Sequence, residues 1–217
     1  MEVAVSEQKD VIFRQALYRF CAAALLYPDE SRRDTLKEGA KWLLENLDAE
    51  WLDADTRDRF SRVFDWAASL NGDLTELQGA WVGLFGVSRT IFCYPYEGAT
   101  VPAEYTGAVL AHLQKEYAEA GLVLAKDDLP DHVSVQLEYL SFLCGLEAKA
   151  VEEGRDAQRK LIARRRHRFL DQHPGRWIPG LAERVTKKDG KIFAEICTAA
   201  AGLVVAEKKQ FESAANA

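Results

Sequence analysis

The sequence predicts an all-α fold: a single compact bundle of eight to nine helices over residues 1–217, with an ordered core of about residues 8–211. Apolar residues recur at three- and four-residue spacing along most of the chain, as they do on the buried face of a helix. No stretch keeps the alternation of a strand for more than a few residues, and no repeat period is visible. The connections between the helical stretches are mostly short, as a compact bundle requires.

The first two helices are separated by a proline. Residues 8–27 carry apolar side chains on a wide face and predict the first helix. Pro28 ends it, because the residue before a proline avoids the helical conformation. Asp29 can then cap the second helix, whose apolar positions run to Leu47.

The third and fourth helices are bounded by acidic residues and glycines. The third begins at Asp53 or Asp55 and ends at the Asn-Gly pair of residues 71–72, a sequence that commonly stops helices. Asp73 is predicted to cap the fourth helix, which ends near Gly86.

A long irregular segment follows the fourth helix. Residues 87–100 are aromatic, contain one proline and lack helical spacing, which makes them the strongest candidate for a functional loop. The fifth helix covers about residues 102–120, with Pro102 in its first turn, and ends at Gly121. Residues 122–130 form a linker.

The remaining helices fill the C-terminal part of the chain. Asp131 is the predicted N-cap of the sixth helix, over about residues 131–153, and Gly154 ends it. The Pro-Gly pair of residues 174–175 breaks the chain after the seventh helix. The last three helices are predicted at about residues 155–172, 176–187 and 190–211.

A basic run at residues 164–168 lies in the seventh helix. Helical spacing places Arg164 and Arg168 on one side and distributes Arg165 and Arg166 around the axis. Acidic helices elsewhere can pair with these side chains, so we predict a solvated, salt-bridged face rather than a phosphate or RNA site.

Composition and charge narrow the class of protein. The 217 residues are 48% hydrophobic and 29% charged, as in an ordinary soluble globular protein. A net charge of −6 argues against a nucleic-acid partner, since proteins that bind nucleic acids usually carry a basic face. The negative charge instead favours encounter with basic partners.

The hydropathy pattern favours a cytoplasmic protein without direct membrane insertion. Residues 1–10 are polar and acidic and lack the basic and apolar regions of a secretory signal. The most apolar runs, residues 20–27 and 199–206, are too short to cross a bilayer.

The cysteines and histidines do not indicate a metal site or another cofactor. No two cysteines have CxxC spacing, and we interpret the four as reduced thiols. Three of them sit among apolar neighbours and are interpreted as small core groups, and Cys93 is interpreted as a loop thiol packed on Tyr94 or Phe92. The histidines lie on different predicted elements without HxxxH spacing, whereas a structural zinc site normally shows such local pairs. The residues concerned are Cys21, Cys93, Cys144, Cys197, His112, His132, His167 and His173.

Catalysis has weak support in the sequence. Cys93 could act as a nucleophile with His132 as its base, or Asp131 and His132 could act as a pair. The neighbouring Glu97 and Asp131 disfavour a thiolate, because activation requires an electropositive setting. We therefore expect no enzymatic activity, and a small cysteine-dependent hydrolase remains an alternative.

Apolar and acidic groups near the middle of the chain suggest peptide binding. Trp81, Leu84 and Phe85 have the spacing of one helix face, which fits either a buried core or a groove that holds a peptide. A carboxylate at a helix start, such as that of Asp131, can also accept an arginine with two hydrogen bonds.

Several short motifs occur in an order that resembles a known family. These are Trp81-x-x-Leu84-Phe85, Pro95-Tyr96-Glu97, Tyr117-x-x-x-Gly121-Leu122, Pro130-Asp131-His132, Gln136-Leu137-Glu138-Tyr139-Leu140 and Phe169-Leu170-x-x-His173-x-x-x-Trp177-Ile178-Pro179. Over about residues 10–205 their order and spacing resemble the TorD/DmsD/NarJ family of cytoplasmic all-α chaperones, which mature molybdenum-containing redox enzymes.

One position departs from that family's pattern. The family loop often continues from Pro-Tyr-Glu to serine, whereas this chain has Gly98, so a role that depends on the serine hydroxyl cannot be carried over. The aromatic residues 91–94 make the chain look closer to the branch that serves dimethyl sulfide, ethylbenzene or selenate dehydrogenases and reductases.

The resemblance implies a TorD-like chaperone that binds the apo catalytic subunit of a molybdopterin enzyme, including its twin-arginine signal peptide. The chaperone would be a monomer or a domain-swapped dimer. A permanent non-catalytic subunit of a redox complex is the other alternative. The residues expected to contact the peptide are Trp81, Leu84, Phe85, Tyr96, Glu97, Glu104, Pro130, Asp131, His132 and Tyr139.

Overall fold

The structure, a computed structural model, describes residues 2–47, 49–86, 93–126, 128–188 and 190–215, and across these residues it contains α-helices and no strand. The all-α prediction is confirmed. The helices are α1 Glu2–Ala24, α2 Glu30–Glu45, α3 Ala54–Ser69, α4 Thr75–Phe85, α5 Ala103–Glu119, α6 Val133–Glu152, α7 Asp156–Gln172, α8 Pro174–Lys187 and α9 Lys191–Ala215, with a 3-10 turn at Glu97–Thr100. No helix in the described ranges is both long and apolar enough to cross a bilayer.

Four helix boundaries follow local signals that the sequence displays. Asp29 accepts a hydrogen bond from the Arg32 N–H at 2.8 Å and caps α2, and Asp53 accepts one from the Thr56 N–H at 2.8 Å and caps α3. Gly121 and Gly154 follow α5 and α6 with φ of +77° and +65°, a left-handed conformation that glycine adopts without strain. These predictions are confirmed.

Other boundaries differ from the predictions. His132, rather than Asp131, caps α6, because its Nδ1 accepts the Ser134 N–H at 3.1 Å while the Asp131 carboxylate turns towards Gly98. The first helix ends at Ala24 instead of residue 27. α8 begins at Pro174 itself, since a proline in the first helical turn leaves no intrahelical hydrogen bond unmade.

The core forms where the long helices cross. α6 packs against α1 and α7, and α9 packs against α3 and α8. Leu17, Leu140 and Leu203 are fully buried at these crossings. α4 and α5 lie at the edge: within the described residues α5 buries only Leu113, Glu116 and Tyr117. The candidate site is next to these two peripheral helices.

The cysteines behave as predicted. All four have free, buried thiols. Burial raises the pKa of Cys21 to about 12 and also raises the pKa of Cys93 above its ordinary value, although Arg184 and Lys188 act the other way on Cys93. These thiols are core groups rather than poised nucleophiles.

The basic run is salt-bridged, as predicted, but it is not solvated throughout. Arg165 donates to Glu116 at 2.8 Å near the surface. Arg166 is only 6% exposed and contacts Glu147 and Glu207. The prediction of a solvated face is therefore wrong for Arg166, because α7 crosses α6 and α9 at this position and both helices bring a carboxylate.

Candidate peptide-binding site

The predicted site residues separate into two neighbouring regions. Trp81, Leu84 and Phe85 lie on α4, whereas the others lie in residues 96–104, which hold the 3-10 turn and the start of α5, and in residues 130–139 at the start of α6. The two regions are close along the chain, since Cys93 lines a cavity beside α4 and precedes Tyr96 by three residues. Residues 87–92, which belong to the predicted functional loop, lie outside the described residues.

A cavity of about 770 Å³ lies beside α4, between the end of α3 and the junction of α8 and α9. Its size is typical of ligand sites, which range from about 300 to 1,000 Å³. Most of its wall is apolar, and charged groups stand at its edge. The lining residues include Trp66, Leu70, Asp73, Leu74, Glu76, Leu77, Leu84, Cys93, Lys188, Lys191 and Ile192.

The three predicted residues of α4 have different roles around this cavity. Leu84 lines the cavity. Phe85 is core, packed edge-on against Phe193 at 5.6 Å between ring centroids. Trp81 is half-buried and ties α4 to the end of α1, because its Nε1 donates to the carbonyl of Leu25, the residue after α1, at 3.1 Å. The sequence left open whether these residues form core or a groove, and the structure places Phe85 in the core and Leu84 at the cavity.

The second region is a loop hydrogen-bonded to the start of α6. Tyr96 and His132 form an isolated antiparallel bridge. The Glu97 N–H donates to the Asp131 carbonyl at 3.0 Å, and the Val133 N–H donates to the Pro95 carbonyl at 2.8 Å. This loop is therefore held in one position by α6.

The carboxylate of Asp131 completes this attachment. Its Oδ2 accepts a hydrogen bond from the Gly98 N–H at 3.0 Å, and the side chain is only 5% exposed. Burial raises the pKa of Asp131, and the hydrogen bond from Gly98 acts in the opposite direction. Asp131 thus stabilises the 3-10 turn from beneath.

Glu97 lies at the centre of a buried polar network. Its Oε2 accepts from Gln136 Nε2 at 2.5 Å and lies 2.9 Å from His173 Nδ1. The other ring nitrogen of His173 lies 2.8 Å from Nδ1 of the exposed His112, which completes a chain of hydrogen bonds to the surface. Trp177 Nε1 donates to Gln136 Oε1 at 2.9 Å.

The burial of Glu97 and Asp131 corrects the expectation that both offer open carboxylates to a peptide. Buried carboxylates require internal partners, and groups of the same chain engage both oxygens of Glu97 and Oδ2 of Asp131. Of the predicted carboxylates, only Glu104 is exposed. The contact of these residues with a peptide remains a prediction.

The other predicted residues on this side also make internal hydrogen bonds. The Pro130 carbonyl accepts from Tyr117 Oη at 2.8 Å. Tyr139 is buried and donates to Glu116 Oε1 at 3.1 Å. His132 is buried as a neutral acceptor, and burial lowers its pKa to about 4 although the charge of Asp128 opposes the shift.

Four members of the network were not predicted as site residues. Gln136, His173 and Trp177 stand in the motifs that carry the family resemblance, so a signal for them was present. His112 has no such signal. The partners of Glu97 are 39 and 76 residues away along the chain, and no spacing rule connects them.

Gly98 occupies a position where a side chain has no room. An added Cβ would lie 2.8 Å from Thr106 Cγ2 and 2.9 Å from Asp131 Oδ2. We expect Gly98→Ser to lower the free energy of unfolding by about 1–3 kcal/mol in urea denaturation, because overpacking displaces these neighbours. Gly107→Ser is the matched control, since no atom of a described residue outside its own helix backbone lies within 4 Å of its added Cβ. Equal losses in the two variants would contradict this interpretation.

The geometry does not support the catalytic alternatives. The Cys93 thiol is buried with a raised pKa, which disfavours the thiolate. Asp131 and His132 direct their side chains to the backbone N–H groups of Gly98 and Ser134. In the part of the chain that the structure describes, no three His, Cys, Asp or Glu side chains are grouped to hold a metal ion.

The described residues thus form an all-α body with an apolar cavity at its edge and, beside it, a loop whose carboxylates Glu97 and Asp131 are engaged internally. The model of the nitrate reductase delta subunit family matches residues 50–183, more than half of the chain. The chain therefore belongs to this family of molybdoenzyme maturation chaperones, the TorD/DmsD/NarJ family indicated by its motifs.

Two curated relatives are similar to part of the chain. The selenate reductase assembly chaperone protein of Thauera selenatis is 33% identical over 117 residues, which are 53% of this chain and 59% of that protein. The chlorate reductase assembly chaperone protein of Ideonella dechloratans is 32% identical over 112 residues, 50% of this chain and 57% of that protein. The chain thus spans less than two-thirds of the length of either relative.

A solved structure supports the fold. A protein from Archaeoglobus fulgidus, described as a redox enzyme maturation protein, matches with a TM-score of 0.51 and 21% identity. The match covers 92% of this chain and 93% of that chain. At this identity the likeness bears on the helical architecture alone.

Proposed function

We propose that this protein is a cytoplasmic chaperone for the catalytic subunit of a molybdenum-cofactor redox enzyme. It binds the apo subunit, including its twin-arginine signal peptide, as a monomer or a domain-swapped dimer. It holds the subunit until the cofactor is inserted and then releases it for assembly or export. Membership of the family and the similarity to two assembly chaperones support this proposal.

The observation that carries the proposal is the cavity beside α4. Leu70, Leu77 and Leu84 give it apolar walls that suit the apolar stretch of an unfinished chain. Burial of apolar surface contributes about 25 cal/mol per Å². Ordering a flexible segment offsets part of this gain, so we expect a Kd of about one micromolar.

The mechanism is sequestration and requires no covalent step. The carboxylates of Asp73 and Glu76 lie at one edge of the cavity, and Lys191 forms an exposed ion pair with Glu76 at 3.8 Å. An exposed pair of this kind contributes little stability, so a charged segment of a ligand can displace it. The charged edge sets the orientation of the bound segment and disfavours other apolar peptides.

Gly83→Leu is expected to block the cavity without disrupting α4. Gly83 lines the cavity, and outside the backbone of its own helix an added Cβ at this position meets no atom of a described residue within 4 Å. We expect at least a tenfold weaker Kd, measured by calorimetry with a synthetic peptide of two arginines followed by an apolar run. Gly79→Leu is the matched control, since Gly79 lies one turn earlier on α4 with equal free space and does not line the cavity.

A pull-down from the native host tests Gly83→Leu and Gly79→Leu with the complete client protein. Wild type and Gly79→Leu should recover a molybdoenzyme catalytic subunit that lacks molybdenum, as judged by mass spectrometry and metal analysis. Gly83→Leu should recover much less. Recovery of the finished, cofactor-loaded enzyme would instead favour a permanent subunit of a redox complex.

A further inference from the structure

A second, smaller groove lies where the chain connects α5 to α6. It has a volume of about 250 Å³ and apolar walls formed by Leu122, Val123, Leu124, Val135 and Phe142. Val123 is 95% exposed. Together with the other apolar side chains of the groove, Val123 forms an open apolar surface that a partner can cover.

Hydrogen bonds hold the described residues at both ends of this connection. The Leu122 N–H donates to the Tyr117 carbonyl at 3.0 Å, and Tyr117 Oη donates to the Pro130 carbonyl at 2.8 Å. The His132 N–H donates to the Leu129 carbonyl at 3.1 Å. A ligand would therefore meet an apolar surface that is already organised, which reduces the entropic cost of binding.

Two carboxylates share this groove. Asp128 and Glu138 both line it, both are exposed, and neither forms an ion pair with a described residue. Desolvation and then the charge of Asp128 raise the pKa of Glu138, while the charges of Arg19 and Arg32 act the other way. The two acidic groups therefore repel one another, and a cation placed between them would relieve that repulsion.

We propose that this groove binds a segment of the client polypeptide in which cationic side chains precede apolar ones. Asp128 and Glu138 accept hydrogen bonds from the cationic groups, and the apolar side chains next to those groups pack on Val123, Leu124 and Phe142, while the longer apolar stretch of the client occupies the cavity beside α4. This assignment rests on the proposed chaperone function and deepens it, since it places the cationic half of the client segment at Asp128 and Glu138, which are not among the residues that the sequence predicts to contact the peptide.

Charge complementarity decides the kind of occupant. Two neighbouring carboxylates on a protein of net charge −6 disfavour phosphate-bearing ligands, such as nucleic acids and anionic lipid surfaces. Asp128 also lies three residues before Asp131, the carboxylate that the sequence suggested for a peptide arginine. Because Asp131 is buried on Gly98, a cationic segment next to the start of α6 can instead reach the exposed carboxylates of Asp128 and Glu138.

The test compares a groove variant with a matched surface variant. The Val123→Ser/Glu138→Gln protein removes the exposed valine and one carboxylate of the groove. The control protein carries Leu161→Ser/Glu152→Gln, which changes an exposed leucine on α7 and an exposed carboxylate on α6. Each is titrated by calorimetry with the arginine-containing peptide and with a version in which both arginines are glutamine.

The groove variant should bind the arginine peptide at least tenfold more weakly than wild type, and the control should match wild type. Replacing the peptide arginines should weaken binding to wild type much more than binding to the groove variant. Wild-type affinity in the groove variant, with Gly83→Leu impaired, would overturn the groove assignment and leave the chaperone proposal standing. Failure of wild type to bind the peptide or capture a client would overturn both.

Discussion

Replacing Arg166 with methionine is expected to lower the free energy of unfolding by about 3–5 kcal/mol. Arg166 lies in the core charge cluster, which consists of Arg14, Glu147, Arg166 and Glu207, all at most 6% exposed. Arg166 Nε lies 3.1 Å from Glu147 Oε2, and its guanidinium also contacts Glu207. Without Arg166, two buried carboxylates share one remaining cation, Arg14.

The structure explains why this loss cannot be relieved locally. Arg14 Nε lies 3.8 Å from Glu207 Oε2, and its Nη2 is already bound to Gln210 at 2.6 Å. Tyr18 Oη also donates to Glu207 at 2.5 Å, but it cannot neutralise the carboxylate. The cluster joins α1, α6, α7 and α9, so water cannot reach the unpaired carboxylates without separating helices.

Urea denaturation followed by circular dichroism measures the effect. Arg164→Met is the matched control, because Arg164 is exposed on the same helix. This substitution should change the free energy of unfolding by no more than about 0.5 kcal/mol. Adding Glu147→Met to Arg166→Met should recover part of the stability, because an apolar pair leaves less uncompensated charge. A double variant no more stable than Arg166→Met would show that lost packing, rather than charge, sets the penalty.

Acid is expected to destabilise the wild-type protein relative to the variant His132→Asn, by up to about 3 kcal/mol near pH 4. Burial holds the pKa of His132 at about 4 in the folded protein, below the ordinary value of 6.5. Between these pH values the unfolded chain binds a proton that the folded protein does not. The free energy of unfolding therefore contains the full contribution of neutral His132 above pH 6.5, and this contribution is lost as the pH falls towards about 4.

Asparagine is the suitable replacement because it is among the best N-cap residues. Its side-chain oxygen can accept the Ser134 N–H that His132 Nδ1 accepts in the wild type. The measurement is the difference in free energy of unfolding between the two proteins from pH 7 to pH 4. The raised pKa of Asp131 gives the opposite slope in both proteins and cancels in this difference. If the free energy of unfolding changed with pH in the same way in both proteins, the lowered pKa of His132 would be contradicted.

Much of the architecture could be predicted because its causes are local. Asp29 and Asp53 cap helices through backbone groups three residues ahead, and Gly121 and Gly154 end helices through their own backbone conformation. Both partners of such an interaction lie within one helical turn, so a short stretch of sequence contains all the residues needed to predict it. The family could also be predicted, since the order of its motifs is a property of the sequence itself.

The position of each charge was decided only by the tertiary structure. Arg164 and Arg166 are two residues apart in one basic run, yet one is exposed and the other is buried among carboxylates from two other helices. Glu97 likewise has a partner 76 residues away. Whether a carboxylate is accessible to a ligand depends on which other helices pack over it. The spacing of residues along one helix carries no information about those neighbours. The sequence alone therefore determined which segments are helical and which family they form, and the packing of those helices determined which acidic groups remain open to a partner.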